Sequence, residues 1–338
     1  MKILFIGSSF GNAYLQYKAL KDIYKKVDII DGYNSILRIK TFFRIFIHIS
    51  PFFFEKYLNN FFLKKVKKNY DLIYVRSGEL IGRELIIELK KKTKKIVFFC
   101  NDNPFVKRDK NKWELFKKAS KYYDLIIFQD NSRIIAAKKI GLKNIFLMYP
   151  PYDKHIHTTK KNYSYKKIYD VVFVGTWSPN KSLLIQRLIN SNLNIKVFGP
   201  RWDKDPNFEK YKSIIKAKDF TYKRYTNIIK KAKIALCLFS NENKDTITAR
   251  SIEIPAIGTF MMSYKTPAMK KIFKENKEVV FFKNYLECVN KCNYYLSNIN
   301  QLNQIARNAN IKVTQIIKNS NHEFVKKIIT NVFNIKKN

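Results

Sequence analysis

Short apolar strands alternate with helical stretches twice along this chain, and a Pro-Pro step separates the two runs. Lys2–Ile6, Val27–Ile30, Leu72–Val75, Lys95–Cys100, Leu125–Gln129 and Ile145–Met148 are apolar runs of strand length. A Gly-containing turn (Gly7 to Gly11), a helix over Ala13–Tyr24, and later helical stretches such as Gly82–Lys92 and Ser132–Ile140 fill the gaps. Strands that are apolar on both faces and separated by helices imply a parallel sheet covered on both sides. Tyr149-Pro150-Pro151-Tyr152 ends this run, and His155–Lys167 is polar without a period. A second alternation follows, with strands at Val171–Val174, Ile195–Phe198, Ile234–Phe239, Thr259–Met262 and Glu278–Phe282. Its helices are expected at Lys181–Asn190, Lys223–Ala232, Leu286–Leu296 and Leu302–Ile317, with a last one at Asn321–Ile335. The expected fold is α/β, with two doubly wound Rossmann-like domains facing across a cleft. Ligands of such sheets sit outside the strand C-termini. The expected division is 1–152, a linker at 153–168, a second domain at 169–320, and a tail at 321–338 that packs back on the N-terminal domain.

At 338 residues and 46% apolar, the chain can bury a core in each domain. No run of 18 apolar residues occurs, so no transmembrane helix is predicted. MKILFIGSSF reads as a first strand and its turn, not as a secretory signal. Cys100 and Cys237 lie in apolar runs, and Cys288 and Cys292 are four apart without a Cys or His pair at metal spacing. No metal is expected, and a reducing, cytoplasmic compartment fits. The net charge of +40 is spread in lysine doublets and triplets along helix faces. Abundant Lys, Asn, Ile, Phe and Tyr is what an AT-rich coding sequence favours, so no nucleic-acid partner is expected. Residues 40–68 differ, because TFFRIFIHISPFFFEKYLNNFFLKKVKK crowds aromatic and basic side chains together. They read as two helices covering the first sheet, broken at Pro51, or as a face for peripheral contact with the anionic inner side of a membrane.

The stretch Asp245–Met262, DTITARSIEIPAIGTFMM, carries the clearest chemistry. A polar loop leads into a helix of about two turns, then a glycine stop and a buried strand. Arg250 and Glu253, three apart, share one helix face. The arginine and the helix N–H groups suit a diphosphate, and the carboxylate suits the two hydroxyls of a ribose. Asp245, Thr246 and Thr248 offer oxygens to cap the helix start, Pro255 interrupts it and Gly258 ends it. An ordinary surface ion pair is the competing reading, and the apolar neighbours Ile252, Ile254 and Ile257 weigh against it. Gly175, Thr176 and Trp177 follow a strand, where a glycine admits a phosphate close to the backbone. Gly199 and Pro200 follow the next strand as a candidate wall of the same pocket. Tyr222 is a candidate to pack on a nucleobase, with core packing as its alternative. His155 and His157 lie in the linker and read as surface residues.

DTITARSIEIPAIGTFMMSYKTPAMKKIF, NKEVVFF and YLECVNKCNYYL resemble the C-terminal domain of CgeB-like glycosyltransferases of the GT-B superfamily, a group with an R-x-x-E-x-x-A-x-G pattern. DVVFVGTWSPNK and VFGPRWD resemble the start of that domain. YDLIYVRSGELIGREL, VFFCNDNPF, YDLIIFQD and YPPYDKHIH extend the likeness upstream, weakly before residue 70. The resemblance implies transfer of a sugar from a nucleotide-diphosphate sugar donor to a glycan, lipid-linked or protein acceptor, without a cofactor. It places Glu253 at the ribose and Arg250 and Thr248 at the diphosphate. Related retaining enzymes carry a Glu eight residues before the ribose Glu, where this chain has the shorter Asp245. The first domain is then expected to hold the acceptor, with Asn101 and Asp102 after one strand and Ser77 and Gly78 after its neighbour. Asp102 is the candidate general base. Two other readings of the residues stay open: a non-hydrolysing sugar-nucleotide epimerase of the same architecture, and a non-catalytic basic module for anionic lipid or nucleic acid.

Overall fold

The computed structural model describes residues 1–32, 39–158, 166–191, 193–218 and 221–334. Part of the expected linker and the last-helix end at Ile335 therefore lie outside the described residues. The chain forms two compact units, Met1–Tyr149 with Asn321–Asn338, and Pro150–Ser320.

The first unit holds a parallel sheet of β1 (Lys2–Ile6), β2 (Lys26–Ile30), β3 (Tyr70–Val75), β4 (Thr93–Cys100), β5 (Leu125–Phe128) and β6 (Ile145–Leu147), in the order β2-β1-β3-β4-β5-β6. Successive side chains of a strand point to opposite faces, and here both faces are covered. Leu4 and Ile6 join one buried layer, while Ile3 and Phe5 join the other. The first layer is closed by the helices Lys40–His48, Glu55–Lys65 and Arg83–Lys90. Pro51 opens a short 3-10 turn between the first two, so the expected break is present. The second layer is closed by Gly11–Ile23 and by the helix Asn321–Asn334 from the far end of the chain. Phe324 on that last helix meets Phe99 of β4 at 4.7 Å between ring centres. His322 and Asp22 join the two helices at 2.8 Å.

The second unit holds β7 (Tyr169–Val174), β8 (Ile195–Gly199), β9 (Ile215–Ala217), β10 (Ala232–Cys237), β11 (Phe260–Tyr264) and β12 (Val280–Phe282). All pair in parallel, in the order β12-β11-β10-β7-β8-β9. Strand β9, three residues at the sheet edge, carries too little apolar periodicity to be foreseen. The loops after β7, β8, β10 and β11 leave the sheet at one edge. The side-chain amide of Asn180, beyond β7, donates to the Phe239 carbonyl beyond β10 at 2.9 Å and ties two of these loops together.

The helix Arg250–Ile257 differs from expectation in two respects. Pro255 lies within it and does not interrupt it. Proline deprives the helix of one N–H bond, and the side-chain amide of Asn310 contributes from outside by donating to the Pro255 and Ala256 carbonyls at 2.9 and 2.8 Å. Its N-cap is Ala249, which has no side-chain oxygen to close the first turn. Thr248 instead bonds through its backbone, its N–H donating to the Ser251 hydroxyl at 3.2 Å and its carbonyl accepting from the Ser251 N–H at 3.0 Å. Gly258 stops the helix in the left-handed region, at φ 84°.

Candidate functional site

Glu253 sits one turn into its helix, facing inward among Ile252, Ile254 and Ile257, and is 0% exposed. A buried carboxylate needs a counter-charge, and Arg250 supplies it at 2.9 Å through one oxygen. The second oxygen, Oε1, has neither solvent contact nor a hydrogen-bond partner within bonding geometry. The Arg250 guanidinium lies 4.3 Å over the ring of Tyr225. Burial works against the arginine's charge, but the Glu253 carboxylate outweighs it and binds its proton more tightly than usual. Burial, and then the same carboxylate, drive the Tyr225 hydroxyl well above the usual phenol range. Arg250 is one-third exposed, so the pair is closed from within and reachable from without.

Around this pair the other candidates divide. Thr248 lies beside it, with its hydroxyl 4.0 Å from the Cys237 sulfur at the end of β10. Asp245 is held in the preceding loop, where its carboxylate accepts from the Asn243 amide at 2.5 Å and its N–H donates to the Ser240 carbonyl at 3.0 Å. The Thr246 carbonyl accepts from the Thr266 hydroxyl at 2.7 Å. Tyr222 opens the helix Tyr222–Lys230, one turn before Tyr225.

The β7 and β8 loops interlock. The Gly175 N–H donates to the Phe198 carbonyl at 2.9 Å, the Trp177 N–H to the Pro200 carbonyl at 3.1 Å, and the Trp202 indole to the Gly175 carbonyl at 2.9 Å. The Trp177 indole donates to Asp205 at 2.9 Å. Thr176 is exposed, and its carbonyl accepts from Lys181. Gly199 has φ +146°, and a Cβ there would drive into the Gly175 carbonyl oxygen. Trp177, Gly199 and Pro200 thus build the loop edge through backbone and indole bonds.

His157 overturns its expected surface position. It is 1% exposed and packs edge-on at 6.1 Å from the Tyr225 ring and at 6.0 Å from Tyr222. Apart from Ile156 its linker neighbours are polar, so no periodicity in the sequence signalled the burial.

In the first unit, β3 and β4 end side by side. Ser77 is buried, and a side chain on Gly78 would clash with the ring of Phe98. The Asn101 carbonyl accepts from the fully buried Arg133 at 2.7 Å. Asp102 is held by Arg108 at 3.1 Å and Lys112 at 3.6 Å. Burial favours its neutral form, but Lys112 and Arg108 outweigh that and hold the carboxyl below the usual range. Such a carboxylate stays ionised and accepts hydrogen bonds, yet is a weaker base than a free one. The neighbouring Glu79 is the opposite case, with its carboxyl raised chiefly by burial.

The structure of Anabaena Alr3699/HepE in complex with UDP-glucose is similar at 13% identity, covering 98% of this chain and 99% of that one, with a TM-score of 0.68. Sucrose-phosphate synthase (tll1590) from Thermosynechococcus elongatus is similar at 10% identity, 99% and 100% coverage and a TM-score of 0.71. The fold is GT-B. A protein assigned as UDP-N-acetylglucosamine 2-epimerase from Listeria monocytogenes shares this GT-B architecture, at 12% identity, 100% and 97% coverage and a TM-score of 0.58. Residues 181–325, most of the second GT-B unit, match the model of the family described as "Glycosyl transferase-like". No curated protein matches the sequence.

Proposed function

We propose that this chain is a glycosyltransferase that takes its sugar from a nucleotide-diphosphate sugar bound by the second unit. One observation carries the reading. Glu253 is a buried, charge-paired carboxylate with one oxygen left unpartnered, at the C-terminal edge of a parallel sheet in the segment that matches the glycosyltransferase-like family. A buried acceptor without a donor costs about 1–3 kcal/mol, and the hydroxyls of a ribose remove that cost. Arg250 then turns its exposed side to the diphosphate, beside the first turn of the Arg250–Ile257 helix. Thr248 adds a hydroxyl at the same end. Gly175, Gly199 and Pro200 shape the loops, and Asp245 is a further donor-side carboxylate. The motif order favours the CgeB-like group, with a glycan or lipid-linked acceptor.

On the acceptor side, Asp102, with Ser77, Gly78 and Asn101 around it, is assigned to hold an acceptor hydroxyl, ionised by Arg108 and Lys112. A panel of nucleotide sugars tests the donor assignment. A true donor at about a hundredfold over its Kd stabilises the protein by about 2.7 kcal/mol, and for a unit of this size raises Tm by roughly 5–10 °C. Nucleoside diphosphate release must then depend on an added acceptor, and Asp102→Asn must slow it. Conversion of the donor without acceptor would mark epimerase chemistry, and no shift with any nucleotide sugar would remove the reading.

Residues 40–68 are assigned to peripheral contact with an anionic bilayer. Seven Lys/Arg stand against one acid, Glu55, while Ile49 and Phe53 are exposed, the latter at 73%. Basic residues near an anionic surface contribute about 1 kcal/mol each, screened by salt. No helix among the described residues is long and apolar enough to cross a membrane. Flotation with phosphatidylglycerol vesicles is expected at low salt and to fall in the double variant Ile49→Ser, Phe53→Ser. Equal flotation of both proteins would discard the contact.

A further inference from the structure

The structure assigns Tyr225 as a positioning residue of the donor site: its ring face supports the Arg250 guanidinium and holds that cation in place for a diphosphate. The inference rests on the donor-site reading above and deepens it.

Polar bonds alone hold Arg250 loosely. A guanidinium carries five N–H donors in one plane. Among the described residues it makes one hydrogen bond, from Nη1 to Glu253 at 2.9 Å. Nε is buried without a partner. One bond fixes a distance but not the plane of the group. An arginine one-third exposed also regains rotamers whenever it swings out to water.

Tyr225 supplies the missing restraint. The central guanidinium carbon stands 4.3 Å from the middle of its ring. There the negative face of an aromatic ring attracts a cation, and a planar guanidinium stacks on it. The ring is that of a neutral phenol, because burial and the Glu253 carboxylate keep its hydroxyl protonated.

The support is itself fixed. Tyr225 is 2% exposed. Its N–H donates to the Thr221 carbonyl at 2.9 Å, in a first turn that the Thr221 hydroxyl caps by accepting from the Arg224 N–H at 3.3 Å. The His157 ring stands perpendicular to it at 6.1 Å, and that imidazole is held at Nδ1 by the Asp153 N–H at 3.0 Å. A rigid ring therefore carries a cation that still has donors to give. The ring acts through Arg250, so its effect falls on the diphosphate and not on the nucleoside. A tyrosine that only filled the core would make no such distinction.

The test is a double-mutant cycle on the full chain, with whichever of UDP, ADP and GDP the wild type binds and with the matching nucleoside. Titration calorimetry reads the diphosphate, and ligand-observed NMR reads the nucleoside. Tyr225→Leu removes the ring face, Tyr225→Phe keeps it, and Arg250→Met removes the cation. The expected result is diphosphate binding weakened about tenfold in Y225L and within about threefold of wild type in Y225F, with nucleoside binding unchanged in both. Tenfold corresponds to about 1.4 kcal/mol, the size of a partly desolvated cation–π contact. In the R250M background Y225L is expected to add less than about twofold, because the ring then has no cation to hold. Wild-type diphosphate affinity in Y225L, equal losses of diphosphate and nucleoside, or the same tenfold loss in the R250M background overturns the role of Tyr225. If Y225L does not fold, Tyr225→Met takes its place with the same expectation. Arg250→Met alone and Glu253→Gln report on the underlying site. If neither weakens the diphosphate, or if the wild type binds none of UDP, ADP and GDP, the donor-site reading itself fails and the role of Tyr225 with it. Loss in R250M beside wild-type affinity in Y225L removes Tyr225 alone.

Discussion

Glu253→Ala is expected to raise the KM for the donor by about 10²–10³-fold while the protein remains folded. Each hydrogen bond to a charged group is worth about 1.5–3 kcal/mol, and a ribose offers two hydroxyls to this carboxylate. Two such bonds amount to roughly 3–6 kcal/mol, of which substrate solvation returns a part. The variant also leaves Arg250 without its partner. Because that guanidinium is one-third exposed, it can turn to solvent and does not remain stranded. The stability loss is therefore expected to be about 2–4 kcal/mol, from the cavity and the lost pair. Glu253→Gln separates the two effects, since it keeps the volume and loses the charge. Steady-state kinetics with varied donor, alongside thermal unfolding, measure both. Donor kinetics unchanged in both variants would sink the ribose assignment.

Gly199→Ala is expected to damage the second unit more than any single change at the chemistry. The backbone there has φ +146°, a region that side chains rarely enter, at a cost of about 1–3 kcal/mol. The added methyl would also meet the Gly175 carbonyl, which the Trp202 indole holds in place. Relief requires moving a fully buried tryptophan. A total loss of about 4 kcal/mol corresponds to a Tm lower by roughly 8–16 °C. A Tm within about 2 °C of wild type would show that the two glycine loops are not rigidly interlocked. Gly141 is the control, because its Cβ would meet nothing within 4 Å although its φ is also positive, at 78°. Gly141→Ala is expected to cost only the conformational part.

Much of this was legible in the sequence because parallel strands are apolar on both faces and announce themselves as runs. Ile3, Leu4, Phe5 and Ile6 are all buried, two in each layer. Glu253 was legible for a related reason: a carboxylate inside an Ile-rich helix has no exposed face to occupy. His157 was not, because its burial comes from Tyr222 and Tyr225, far along the chain, and from the turn capped by Asp153. The setting of Asp102 was hidden for the same reason. Its partners Arg108 and Lys112 reach it through an irregular turn at Lys107–Trp113, where Lys110 has φ 49°. The cap of the Arg250–Ile257 helix was misjudged because Asp245, Thr246 and Thr248 are capping types, whereas the Asp245 carboxylate bonds within its own loop, the Thr246 carbonyl takes the Thr266 hydroxyl and the Thr248 hydroxyl faces Cys237. Residue type gives a side chain's capacity, and tertiary contacts decide where it is used.

The helix Asn321–Asn334 belongs to the unit that the chain begins, not to the one it has just completed. A ribosome emits all six strands of the first sheet before it emits the residues that cover Val97 and Phe99. The second unit, Pro150–Ser320, is already whole in sequence by then. Maturation in the cell is thus out of step with synthesis: the nascent first sheet waits with one apolar face only partly covered, by Gly11–Ile23, through the translation of some 170 residues.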